Sequence, residues 1–460
     1  MDIAQLRRLK PRLAQFLQTF DDCFARKDTR AHLPVYIAGQ LSDLPDKSVE
    51  PIAVEAGVAP RTLQEFLSQL KWDEDRARDR LHEIVRDRHS GPHAIGIFDE
   101  TSYVKKGVKT PGVKRQWCGA VGKQENCTVT VHLSFARDDF HCLIDGELYL
   151  PEDWAQDRER CDEAGIPADM TYRPKWQIAL ELYDRAVGNG LHFDWVTFDE
   201  GYGGKPDFLR ALSARQQPFV GEVPRNLVGW IKPPRVVTRA FHKNRRGRGR
   251  KIPRLASGSP PARRLDELLD RRELRDRPWR RWRVKDGEKG PMVWEVKHIL
   301  FYPKDEEGLP CGPMHLIVAR DVLSPAELKF FVSNAAPETG VSTLLLVAFS
   351  RWRVERCFED GKGEVGLDHY EGRRYLGLKR HLILSAISYL FLAETREAFG
   401  GEKSGADGVP GAHGDRGVDP LLVAGRAAVE EVTRTHGGEA ATDAAQECPG
   451  AREPHQTNAA

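Results

Sequence analysis

What the chain lacks narrows it first. No uninterrupted apolar run in its 460 residues approaches the ~18–20 residues of a membrane span. The opening segment MDIAQLRRLKPRLAQF has basic residues but no apolar h-region, so no signal peptide is expected. Eight cysteines occur, at 23, 118, 127, 142, 161, 311, 357 and 448, and none stands as C-x-x-C or at zinc-ligand spacing. Reduced thiols in a cytosolic setting are the expectation. A strong charge of one sign is also lacking. Charged residues are 30% of the chain, yet the formal net charge is +2, so partners must be read from where charge falls. What is present is 40% hydrophobic residues and length enough for two or three cored domains.

Residues 1–90 read as helical. IAQLRRLKPRLAQFLQTF has an apolar stripe at helical spacing, broken once by Pro11. In KSVEPIAVEAGVAPRTLQEFLSQL, Ile52, Ala53 and Ala56 make a short helix and Gly57-Val58 a tight turn. Pro60 opens a second helix with Leu63, Phe66, Leu67 and Leu70. This is the pattern of a helix-turn-helix, which also occurs in plain helical bundles.

Residues 91–224 change period. HAIGIFDE is an apolar run ending in two acids, with its strand ending at Asp99. TVTVHLSFA and HCLIDGELYL read as strands around a turn at Arg137-Asp138-Asp139. Lys175–Gly190 is an amphipathic helix with Trp176, Ile178, Ala179, Leu182 and Val187 on its apolar face. FDWVTFDEGYGG is a strand ending in acids and glycines, followed by a helix and a further strand. Three strands, helix, strand, helix, strand is the order of the ribonuclease H fold, an α/β mixed sheet flanked by helices.

Residues 225–336 are expected to be a β-rich basic insertion. HKNRRGRGRKIPR and RDRPWRRWRVK concentrate arginine, with Trp279 and Trp282 interleaved. That composition suits phosphate contact with stacking on bases, favoured over a solvated loop because so many arginines share one segment with so few acids. From Gly340 a helix runs through RWRVERCFEDGKGEVGLDHYEGRR, and RHLILSAISYLFLAETREAF is an apolar helix, completing a core part at 337–398. Residues 399–460 carry few large apolar groups and are expected to be disordered.

Three acids fall where a two-cation nuclease needs them: Asp99 and Asp199 at strand ends and Glu355 on the late helix. Clamping two divalent ions takes carboxylates converging from separate elements. Singly, each acid is as well explained as a turn residue or helix cap. On a helix, Arg351, Glu355 and Lys362 lie near one face, beside an apolar stripe of Val347, Val354 and Phe358. Glu359, one turn on, shares that face and remains a rival, as does Asp360.

KSVEPIA, IFDETSYVKKG, KRQWCGAVGKQENC, VTFDEGYGG and the segment from Arg351 to Arg374 together resemble the DDE transposases of bacterial insertion sequences. The resemblance is to the group with a Tyr-Arg-Glu-Lys signature, insertion-sequence family 701 within it, and covers roughly residues 47–395. It implies a ribonuclease H-like core with an inserted β-rich domain and an N-terminal helical DNA-binding domain. It implies Asp99, Asp199 and Glu355 as the catalytic and metal-binding triad, with two Mg2+ ions that Mn2+ can replace. Arg351 and Lys362 match the signature's Arg and Lys, while Ala348 stands where its Tyr falls and Phe349 is adjacent. Arg353, Arg245, Arg246, Arg248 and Arg250 are further expected DNA contacts. The implied partners are terminal inverted repeats and target DNA, held by a homodimer at the bacterial nucleoid in the cytoplasm. A DNA-binding protein without catalysis, and a ribonuclease H-like nuclease without strand transfer, are the competing expectations.

Overall fold

The apolar run that begins at Ile95 does not stop at its first acid. Thr101, Tyr103 and Val104 are strand formers and carry it on as a ten-residue strand, β1 (Ile95–Val104). Asp99 therefore sits in mid-strand and not at a strand end. The computed structural model describes residues 3–240, 251–287 and 290–400. It divides into two units, Arg78–Asp360 and Met1–Ala77 with Gly361–Ala460.

In the first unit β1 is joined by β2 (Lys114–Cys118), β3 (Lys123–Arg137), β4 (Phe140–Tyr149), β5 (Trp195–Phe198) and β6 (Phe219–Val223). β3 lies antiparallel to β1 and to β4, with Asp138 at φ 51° in the β3–β4 turn. β5 is parallel to β1, and β6 to β5. Helices Lys175–Gly188 and Pro206–Ala214 link β4 to β5 and β5 to β6. Ile178, Ala179, Leu182 and Ala186 bury the first of these, whereas Val187, expected on that face, is exposed. The strand order β6-β5-β1-β3-β4 is that of a ribonuclease H-like mixed sheet flanked by helices.

Most strands of the arginine-rich region join the same sheet. The region supplies β7 (Val228–Trp230), β8 (Val236–Ala240), β9 (Lys251–Leu255), β10 (Arg263–Arg264), β11 (Arg280–Gly287), β12 (Gly290–Pro303), β13 (Met314–Asp321) and β14 (Leu328–Ser333). β14 pairs antiparallel with β6 from Phe330↔Val223 to Ser333↔Val220, which covers what would be an open sheet edge. The result is one 12-stranded sheet, with β8 and β9 paired apart from it.

The helix expected from Gly340 onward is two helices. Val341–Phe349 packs on β5 and β6 and ends with Phe349 against Trp294 and Phe331. Ser350 turns its hydroxyl back onto the Val347 carbonyl at 2.7 Å, the kind of local bond that competes with helix continuation. Trp352–Val365 then starts afresh and passes through Gly361 and Gly363 before Gly366 at φ 67°.

The second unit is helical. Ile3–Gln18 runs unbroken through Pro11, since burial of Leu9, Leu13, Phe16 and Leu17 outweighs the lost backbone bond. Val49–Glu55 ends at Gly57, φ 66°, where the Val58 amide bonds the Ala53 carbonyl at 2.9 Å. Pro60–Ser68 follows and buries Leu63, Phe66 and Leu67; Leu70 lies past its end. Tyr375–Gly400 is long and apolar enough to cross a membrane by length and composition, which a search for uninterrupted apolar runs overlooks. Of its most apolar window 78% is buried, so it serves as a core helix of this unit. Gln40 bonds Ser385 and Ser388 on it, and Arg380 caps the carbonyls of Phe66, Leu67 and Leu70. The tail expected to be disordered lies, from residue 401, outside the described residues.

Candidate active site

Asp99 lies on β1 and Asp199 directly after β5, the neighbouring parallel strand. β1 and β5 pair from Ile95↔Trp195 to Ile97↔Thr197, and the two acids follow two residues later in each chain direction. The sequence marks this with a repeat, Phe-Asp-Glu at 98–100 and again at 198–200. Asp99 is buried. Its Oδ1 accepts from the Glu100 amide at 2.8 Å and its Oδ2 from Arg351 Nη1 at 2.9 Å. Burial, and next the charge of Asp199, push its carboxyl up to about 8 against the pull of Arg351.

Asp199 does cap the short helix Glu200–Gly203. Its Oδ1 accepts from the amides of Gly201 at 2.9 Å and Tyr202 at 3.4 Å. Burial and then Glu100 raise its pKa, opposed by Arg351 and by those amides. The glycines of DEGYGG have a steric reason. A Cβ on Gly203 would lie 1.9 Å from the Glu222 carbonyl oxygen of β6, so only glycine lets this turn close against the sheet.

Glu355 reaches the pair through Arg351. The guanidinium bonds Glu355 Oε1 with Nη2 at 2.5 Å while Nη1 holds Asp99. The helix bearing Glu355 is seated by Val354 and Cys357, both buried, and by Phe358 edge-on to His132, the residue opposite Asp99 on β3. Glu359 and Asp360 turn instead to Arg356, at 3.3 and 2.9 Å. Three neighbours escaped the sequence reading. Glu100 pairs with Lys175 at 2.6 Å, and the Tyr202 hydroxyl is buried beside Glu100, Asp99 and Asp199. Adjacency to Asp99 and Asp199 was the available signal for Glu100 and Tyr202; none marked Lys175.

Among the described residues no three His, Cys, Asp or Glu side chains converge tightly enough to enclose a metal ion. The Asp99–Asp199 pair nevertheless fits one. Two neighbouring carboxylates, one buried and driven to about 8 and the other part-buried, carry a like-charge conflict that a divalent cation relieves. The donors are all oxygen, which suits Mg2+ or Mn2+.

The basic residues fare unequally. Arg353 donates Nη2 to the Asp138 carbonyl in the β3–β4 turn, away from the acids. Lys362 lies on the last turns of its helix, half-buried, in the helical unit. Arg245, Arg246, Arg248 and Arg250 fall outside the described residues. Trp279 is half-buried, and Arg320 at 4.1 Å and Lys297 at 5.0 Å from its ring centre already lie over the indole. Ala348, in place of the signature tyrosine, is buried.

Carboxylates on β1 and directly after β5 of a ribonuclease H-like sheet, with a helix glutamate later in the chain, are the plan of a DDE-type endonuclease. The chain belongs to the family described as DDE superfamily endonuclease, which matches residues 19–291, a span that includes Asp99 and Asp199 and ends before Glu355. It is also similar to a probable transposase for insertion sequence element IS701 from Microchaete diplosiphon, at 33% identity over 208 residues. That stretch is 42% of this chain and 51% of the relative, so the chain spans about half the length of the protein it matches.

Proposed function

We propose that the chain is a transposase that cuts DNA at the ends of its insertion sequence and joins the freed 3′-hydroxyls to target DNA. The observation that carries this reading is the like-charge pair of buried Asp99 on β1 and part-buried Asp199 directly after the adjoining parallel strand β5. Such a pair works against folding and is kept where chemistry needs it.

Asp99, Asp199 and Glu355 would hold the divalent ions, Mg2+ or Mn2+. Bound there, the ions would make a hydroxyl more nucleophilic and offset charge on the leaving oxygen. The protein's own part is orientation. The amides of Gly201 and Tyr202 fix Asp199 before any ligand arrives, and Arg351 holds Glu355 beside Asp99. With cations held by the carboxylates, Arg351 would be available to neutralise a DNA phosphate. Lys362, Arg353 and the arginines at 245, 246, 248 and 250 supply further phosphate contacts on this reading. The Val49–Ser68 helices bind the terminal repeats, and two copies hold two DNA ends in the bacterial cytoplasm.

The test uses purified protein and duplexes carrying the element's own ends. The wild type should release a 3′-hydroxyl in Mg2+ and transfer it to a second duplex, whereas Asp99→Asn should bind the same DNA and do neither. Cleavage by Asp99→Asn at the wild-type rate would sink the assignment.

A further inference from the structure

From Val104 to Gln124 the chain has six cations, Lys105, Lys106, Lys109, Lys114, Arg115 and Lys123, and no acid. This segment is the end of β1, the loop after it, and the β2–β3 hairpin, in which β2 pairs only with the first residues of β3. Lys109, Lys114 and Lys123 meet Glu163, Asp153 and Glu125 in exposed ion pairs, which contribute little and exchange readily for phosphate. Lys106 and Arg115 are exposed. Trp117 is 65% exposed, in contrast to the half-buried Trp279.

The exposed indole is not on a loose loop. Cys118 and Cys127 are buried with Val129 beneath it. Ser102 Oγ accepts from Cys118 Sγ at 3.3 Å and from the Ala120 amide at 3.2 Å. Gln116 Nε2 donates to the Cys127 carbonyl at 3.1 Å, and Asn126 Nδ2 to the Lys105 carbonyl at 2.6 Å. Trp154 Nε1 holds the Val113 carbonyl at 2.7 Å. A large apolar ring presented to water on a pinned hairpin, in a segment whose charges are all positive, suits a partner that is both anionic and flat-faced.

The register gives its reach. Asp99 is five residues before Val104, whose β3 partner is Cys127, and Trp117 pairs with Gln124 three residues further out. Eight strand residues span roughly 26 Å, about eight base pairs of duplex.

We infer that the β2–β3 hairpin is a nucleic-acid grip that holds the DNA flank about eight base pairs from the carboxylates. Lys106 and Arg115 contact phosphates, and Trp117 stacks on a base face. This rests on the reading of the chain as a DNA-processing enzyme and adds a contact surface to it. Charge complementarity favours nucleic acid over a second protein copy as the occupant.

The test is anisotropy with a labelled duplex of arbitrary sequence, several helical turns long and ending in a single-stranded tail, over a salt series. Lys106→Ala/Arg115→Ala should reduce the log–log salt slope by about two. Trp117→Ala should weaken binding about fivefold or more, with an unchanged melting temperature. Wild type that binds, with both variants matching it, overturns the grip and leaves the enzyme reading intact. Wild type that binds no DNA at any salt defeats the underlying reading. A Trp117→Ala protein with unaltered DNA affinity but lower sedimenting mass without DNA would make the hairpin a protein interface and overturn the proposal.

Discussion

Arg351 bonds Asp99 across 252 residues of sequence, Nη1 to Oδ2 at 2.9 Å, and the same guanidinium holds Glu355. One side-chain cation thus stands among the acids that a divalent ion would neutralise. Removing it should expose their repulsion. Arg351→Ala is expected to melt at lower temperature than wild type in chelator, and to gain more on adding Mg2+ than wild type does. A thermal-shift series with and without Mg2+ checks this. Equal Mg2+ gains in the two proteins would show that Arg351 does not share the cation's place.

Asp99 gives a pH prediction with the opposite sign to most carboxylates. Its folded pKa is raised to about 8, first by burial and then by Asp199. Between the unfolded value of about 4 and pH 8 the folded state holds a proton that the unfolded chain has lost. Stability therefore falls as pH rises through that window, by an amount on the order of a few kcal/mol in chelator. Asp99→Asn removes the titration. Its advantage over wild type should grow from pH 4 to 8, read as urea midpoints at each pH, while strand cleavage is lost. A constant difference across the window would contradict the burial argument.

Asp145 illustrates the structural alternative, a buried acid with its charge answered. Arg185 Nη1 lies 2.8 Å from Oδ2, Arg78 Nη1 3.6 Å from Oδ1, and His82 Nε2 4.0 Å away. Burial raises its pKa, but Arg78, Arg185 and His82 together carry it below the usual carboxylate range. Its stabilisation is present above about pH 4 and lost as pH falls through the lower folded value. Asp145→Asn leaves two arginines facing a neutral group and should cost about 3–5 kcal/mol in urea unfolding. A loss under about 1 kcal/mol would mean that the arginines find other partners.

Local pattern carried much of this, and long-range pairing did not. TVTVHLSFA is strand-like wherever it lies, and Gly57 before Pro60 marks a turn between helices without any tertiary context. Asp199 is legible because an apolar run meets glycines there. The spacing of four between Arg351 and Glu355 was readable, but not that the same arginine reaches Asp99, because nothing local encodes a contact across the whole catalytic unit. The pairing of β14 with β6 was hidden for the same reason, since Phe330 and Val223 meet only once the sheet is assembled. Trp279 stood out among arginines, whereas Trp117 was not singled out from its segment. Burial separates them, and burial is a property of the fold.

His298 and His315 supply the last test. His315 Nε2 donates to the Ala336 carbonyl at 2.9 Å, and its Nδ1 shares a hydrogen bond with His298 Nε2 at 2.8 Å. Burial first, then His315 and Arg277, lowers His298 to about 4. Above pH 6.5 the ring is neutral in both states and contributes nothing to pH dependence. Between 6.5 and 4 the unfolded chain takes a proton that the folded chain refuses, so stability falls as pH falls. The loss should be about 1–2 kcal/mol once solvent screening of this part-exposed ring is allowed for. His298→Gln keeps an N–H donor for His315 and removes the titration. Its denaturation midpoint should stay flatter than wild type from pH 6.5 to 4. Parallel curves would show that the His298–His315 pair does not set the acid limb.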